Sequence, residues 1–162
     1  TLARHHLGRL YNQLKRYEEA VTWLQQATGD RYYEGRPGAF NDLALNYFRL
    51  GKLDEAIDSY RQTLRLAPYN PDALVNLSTL LFERQEYKES QKYFDRLDRL
   101  VQRESTLHTS HSLWLGIRLN TIFQNTAKVI GLAKELQTRF PKSNEYRLYQ
   151  KSLSDASAKG SL

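Results

Sequence analysis

Three stretches decide how this chain folds: Lys15-Arg16-Tyr17-Glu18-Glu19-Ala20, Gly51-Lys52-Leu53-Asp54-Glu55-Ala56 and Gln85-Glu86-Tyr87-Lys88-Glu89-Ser90. Their small last residues, Ala20, Ala56 and Ser90, are 36 and 34 positions apart. Twelve positions before each stands another small residue, Gly8, Ala44 or Ser78, and thirteen before it a leucine, Leu7, Leu43 or Leu77. Four positions after comes a bulky one: Leu24, Tyr60 or Phe94. Two closely packed antiparallel helices need this arrangement, because small side chains let the backbones approach while large ones fill the space around the contact.

Period and layout are those of the tetratricopeptide repeat, a helix-turn-helix unit. The expected fold is all-α: a single superhelical solenoid over 1–153, with repeats at about 1–36, 37–70, 71–104 and 107–141 and a capping helix at about 143–153. Pro68 ends the second repeat, since proline is poorly tolerated inside a helix and restricts its predecessor. The third repeat has Gln102 in that place, and the first carries two extra loop residues between Gly29 and Arg36. The fourth is divergent. Leu115 and Gly116 restate the leucine-small pair and Pro141 the terminator, but Gly116 follows Ser78 by 38 residues, so the junction at 103–109 is longer. Lys128 stands where a small residue belongs, and Ala127 or Val129 is expected to take its role. Ser143 can cap the last helix, whose Tyr146, Tyr149 and Leu153 share a face. Residues 154–162 read as a frayed, polar tail.

Of the 162 residues, 24 are Lys or Arg and 18 are Asp or Glu, giving +6, and there is neither cysteine nor methionine. Disulfides, cysteine nucleophiles and thiolate metal sites are thereby excluded. Without methionine, Thr1 reads as the start of a processed chain or fragment. No apolar run approaches the ~18 residues that a membrane-spanning helix needs.

A solenoid binds through the face that its first helices share. On that face stand Arg9 and Asn12; Asn41, Leu45 and Phe48; Asn76, Thr79 and Phe82; and Trp114 and Ile117. Asparagines can pair with a peptide backbone, and aromatics supply anchors. A clamp for a C-terminal carboxylate needs cations on the third repeat's first helix, where Asp72, Val75, Asn76 and Thr79 stand instead. Sharper chemistry finds little support. His108 and His111 lack a third ligand and read as exposed or capping residues, and His5 and His6 point about 100° apart on a helix. Gly29 to Arg36 has neither the spacing nor the lysine of a phosphate loop. Carboxylates such as Glu18, Glu19, Asp54 and Glu55 lie at helix starts, where the dipole favours them. No catalytic residue, metal or cofactor is expected. Acids interleave with the arginines, so nucleic-acid binding is not expected either.

The runs Ser112-Leu113-Trp114-Leu115-Gly116-Ile117-Arg118-Leu119, Phe82-Glu83-Arg84-Gln85-Glu86-Tyr87-Lys88-Glu89-Ser90-Gln91-Lys92-Tyr93-Phe94 and Arg139-Phe140-Pro141-Lys142-Ser143-Asn144-Glu145-Tyr146 together resemble the type IV pilus biogenesis and stability lipoproteins, the PilF/PilW family. Tyr17-Glu18-Glu19-Ala20 and Gln26-Ala27-Thr28 with the loop after it fit the same pattern. The resemblance implies a non-enzymatic pilotin at the periplasmic face of the outer membrane, which helps the pilus secretin reach that membrane and multimerise. It implies further that this chain corresponds to the last four repeats, with membrane attachment only through an N-terminal lipid anchor absent from this chain. The alternative is a generic adaptor that holds another protein or peptide in the same groove.

Overall fold

The computed structural model describes residues 1–103 and 107–159. Three residues of the junction expected to be long, 104–106, and the last three tail residues, 160–162, lie outside the described residues. Among those described, nine α-helices form and no strand. They fall into two compact units, Thr1–Gln85 and Glu86 onward. Where the spacing suggests one solenoid over 1–153, the units divide inside the third repeat, between its two helices.

The first unit holds α1 (Leu2–Gln13), α2 (Tyr17–Thr28), α3 (Arg36–Arg49), α4 (Leu53–Leu66) and α5 (Pro71–Glu83). Each packs on the next, so two antiparallel pairs stack and α5 closes the array. The boundaries follow from local chemistry. Asn70 accepts a hydrogen bond from the Ala73 N–H at 2.9 Å, with Pro71 at the first helical position, and α4 stops at Leu66 just before Pro68. Along the seam, Ala20, Ala44, Ala56 and Ser78 are wholly buried beside Leu24, Leu43, Tyr60 and Leu77. At Gly8 the approach is so close that an added Cβ would lie 2.5 Å from Leu24 Cγ.

The second unit holds α6 (Tyr87–Arg103), α7 (Ser110–Ile122), α8 (Thr126–Arg139) and α9 (Asn144–Lys159). With Gln102 in place of a terminating proline, α6 runs to 17 residues. A capping box starts α7: Thr109 Oγ1 accepts the Ser112 N–H at 3.1 Å and Ser112 Oγ accepts the Thr109 N–H at 2.9 Å. Helix α8 ends at Arg139, ahead of Pro141, and Ser143 Oγ caps α9 by accepting the Tyr146 N–H. The expectation of a frayed tail from Ser154 is corrected, because α9 continues to Lys159. Ser152, Ser154 and Ser157 donate their hydroxyls back to the Tyr149, Lys151 and Leu153 carbonyls, which turns small polar residues toward the helix instead of against it.

The divergent repeat keeps its packing register. A Cβ on Gly116 would strike the Phe94 ring and lie 2.9 Å from Leu132 Cδ1. Gly116 and Leu132 are 16 apart, as are Gly8 and Leu24. Counting from that contact, Lys128 itself occupies the place of Ala20, Ala56 and Ser90, and the expectation that Ala127 or Val129 replaces it is corrected: Ala127 is exposed and Val129 only half-buried. The turn is what has slipped. Left-handed residues close the helix-helix turns at Lys15, Gly51, Gln85 and Gln124, with φ of 59°, 74°, 63° and 57°. The first three lie seven positions after the small residue of the leading helix, and Gln124 lies eight after Gly116.

Candidate functional site

In the first unit the expected binding face is largely engaged in holding the helices together. His5, 8% exposed, bridges α1 to the loop between α2 and α3 and to α3 itself: its Nδ1 lies 2.8 Å from the Tyr33 hydroxyl and its Nε2 2.9 Å from Asp42 Oδ2. Arg9, mostly exposed, reaches the same Asp42 oxygen at 3.8 Å and borders an open depression on α1 with His6, Leu10 and Gln13. Asn76 bonds the buried Tyr60 hydroxyl, whose pKa burial pushes up to about 12. Thr79 donates to the Val75 carbonyl within its own helix, at 2.8 Å. What stays open is Phe48, 45% exposed, with half-buried Asn12, Asn41 and Leu45. Asn41 Oδ1 is a buried acceptor without a hydrogen-bond partner. Phe82, expected as an anchor, is 7% exposed, so in this conformation it is a core side chain.

In the second unit, Ile117 is 3% exposed and likewise belongs to the core. Trp114 is half-buried because the capping helix reaches it: Tyr149 meets its ring edge-on with centroids 6.5 Å apart, and the Arg118 guanidinium sits 5.9 Å from the ring. Two of the ten expected groove residues are therefore buried and a third is partly covered. The 3.6-residue period places the candidates of each helix on a common face of that helix, but sequence alone does not show how far a neighbouring helix overlaps it.

Sequence spacing also misses a polar centre. His108, expected to be exposed or capping, is 4% exposed, and its ring stacks on Phe94 at 5.9 Å with 13° between planes. Its Nε2 lies 3.3 Å from Asp98 Oδ1, and its Nδ1 3.1 Å from Ser112 Oγ. Lys128 Nζ donates to the other Asp98 oxygen at 2.6 Å, and Gln102 Nε2 does so at 2.9 Å. The His108 hydrogen bond, with Lys128 after it, holds the Asp98 carboxyl below the usual range although burial opposes this. Aspartate, histidine and serine are the residue types of an acyl-transfer triad, but Ser112 is 2% exposed and its hydroxyl is part of the cap on α7. The centre is a fastening between α6, α7 and α8. His111 is exposed, whereas His108 is buried.

Comparison with known proteins agrees with the repeat geometry. Tetratricopeptide-repeat models match residues 2–29 and 47–110. The type IV pilus assembly protein PilF of Pseudomonas aeruginosa is 31% identical over 143 residues, which are 88% of this chain and 54% of that protein. The chain is a tetratricopeptide-repeat protein homologous to PilF. A solved structure of Pseudomonas aeruginosa PilF superposes with a TM-score of 0.85 at 28% identity, over 92% of this chain and 65% of that one. The crystal structure of PilW, described as a widely conserved type IV pilus biogenesis factor, matches the fold with a TM-score of 0.74 at 20% identity, over 91% of this chain and 66% of that one. The homologous repeats thus span about half the length of the curated relative. Among the described residues, no helix is long and apolar enough to cross a membrane.

Proposed function

We propose that the chain is a protein-interaction scaffold in type IV pilus biogenesis that acts as a pilotin, holding the pilus secretin while the secretin reaches the outer membrane and forms its ring. The observation that carries the proposal is homology to PilF over 88% of the chain. The open part of the first unit's binding face, Arg9, Asn12, Asn41, Leu45 and Phe48, is the contact for the partner, with Phe48 as apolar anchor. Attachment to the outer membrane through a lipid belongs to the same proposal and comes from the family resemblance.

The test is complementation of a strain lacking the gene, read out as secretin multimers in the outer-membrane fraction. Wild type restores them, and Phe48→Ala with Asn41→Ala reduces them while the purified variant keeps its helical signal. Full multimer formation by that folded double variant would remove the groove from the proposal. Secretin multimers unaffected by loss of the gene would leave an adaptor for another partner.

A further inference from the structure

The charge of the chain divides unevenly between its two units. Residues 1–85 carry eleven Lys and Arg against ten Asp and Glu, a surplus of one, whereas residues 86–162 carry thirteen against eight, a surplus of five. The concentration has a place on the fold. On α6, Lys88, Lys92, Arg99 and Arg103 are exposed and fall within about 60° of helix circumference, opposite the buried Phe94 and Leu97. From first to last they run about 22 Å along the axis. The acid beside them, Asp95, accepts a hydrogen bond from Gln91 Nε2 at 2.7 Å.

Folding does not account for this stripe. At the positions of Lys88 and Lys92, the second helix of the first repeat has Glu18 and Thr22, that of the second repeat Asp54 and Asp58, and that of the fourth Thr126 and Ile130. The repeat therefore requires no cation there. Lys88 lies in the first turn of α6, where the helix dipole favours acids and disfavours a cation.

We infer that the outward face of α6 is a second interaction surface, which receives an acidic segment of a protein partner. Charge complementarity defines the partner, and arginines in the row suit carboxylates, which they can bind through two parallel hydrogen bonds. The spacings of four, seven and four residues match an α-helix with carboxylates at the same intervals. A membrane surface fits less well, because no large apolar side chain of α6 is exposed to enter the lipid. A nucleic-acid strand would need open aromatic faces for its bases, and the Tyr93 ring is covered by Arg96 at 5.7 Å. This surface is separate from the groove and holds whether or not the groove binds the secretin.

The test uses residues 1–162 and a fluorescent poly-glutamate peptide, with anisotropy measured at low and high salt. Wild type binds the peptide, and K88E with K92E and R99E weakens binding on the order of tenfold or more. A control that reverses R4E, K52E and R65E makes the same change in net charge and leaves binding within about twofold. Circular dichroism verifies that both triple variants melt as wild type does. Equal losses in the two variants, or no binding by wild type, overturn the inference. So does stronger binding to phosphatidylglycerol vesicles or to a single-stranded oligonucleotide than to the peptide, which would assign the stripe to lipid or nucleic acid.

Discussion

The two units solve the same packing problem with different materials. In the first, the seam between paired helices is made of Gly8, Ala20, Ala44 and Ala56, and nothing charged lies at those positions. In the second, the equivalent seam has Gly116 on one side and Lys128 on the other, and the ammonium is carried away to Asp98, which also holds His108. A small residue needs only shape from its neighbours. A half-buried lysine needs an anion at a fixed distance, so the second unit depends on a carboxylate, a histidine and a helix cap remaining in place together. The difference teaches that a repeat can lose its most diagnostic residue and keep its register, provided that a polar network replaces the contact.

Each unit contains one of the two tryptophans, Trp23 in α2 and Trp114 in α7, so single-tryptophan variants can follow them separately. The largest effect is expected from Phe94→Ala. This ring is wholly buried, stacks on His108 and fills the space at Gly116, and its loss should cost about 3–5 kcal/mol in the transition seen by Trp114. A melting curve in which only the Trp23 signal moved would break the comparison. Next comes Asp98→Asn, which leaves Lys128 and His108 without their anion and should lower stability by about 2–3 kcal/mol at neutral pH. Because the Asp98 carboxyl titrates lower in the fold than in the unfolded chain, its contribution is complete above the ordinary carboxylate range near ~4 and disappears as pH falls through the lower folded value. The wild-type second unit should therefore lose stability on acidification that Asp98→Asn lacks, and parallel pH profiles for the two proteins would refute the assignment.

Gly8→Ala and Gly116→Ala compare the seams directly. Each places a methyl group against a buried side chain and should destabilise its own unit by about 1–3 kcal/mol, with the other tryptophan unmoved. The smallest effects belong to the turns. Gly in place of Lys15, Gln85 or Gln124 relieves left-handed strain and should be neutral or stabilising by up to about 1 kcal/mol, while Gly51→Ala should cost a similar amount. Denaturant midpoints of the four variants will show whether the turns behave alike although one of them comes a residue late.

Helices and their pairing are legible in the sequence because the small-large pattern is a direct record of close approach. Ala20 beside Leu24 and Ala56 beside Tyr60 need no knowledge of distant residues. His108 is different. Its burial depends on Phe94 and Asp98, 14 and 10 residues earlier, and no local pattern announces that a histidine after a long junction will turn inward. Phe82, expected as an anchor, and Ile117, expected on the binding face, prove buried for a related reason: a helical period gives a side chain's direction but not what lies in that direction. The uneven charge was present in the residue counts, yet one total for the whole chain conceals it until the units are known.

The late turn at Gln124 has a consequence for how such arrays change over time. Leu132 is six residues into α8, whereas Leu24, Tyr60 and Phe94 are seven into their helices. The residue gained before the turn is one the second helix gives up at its start, so the side chain that meets Gly116 is unchanged. In a β-ladder a slip of one residue exchanges inside for outside along the whole strand. Here the bend moves by one residue along the chain while the 16-residue spacing across it is kept, so the place of a turn can vary while the interior stays in phase.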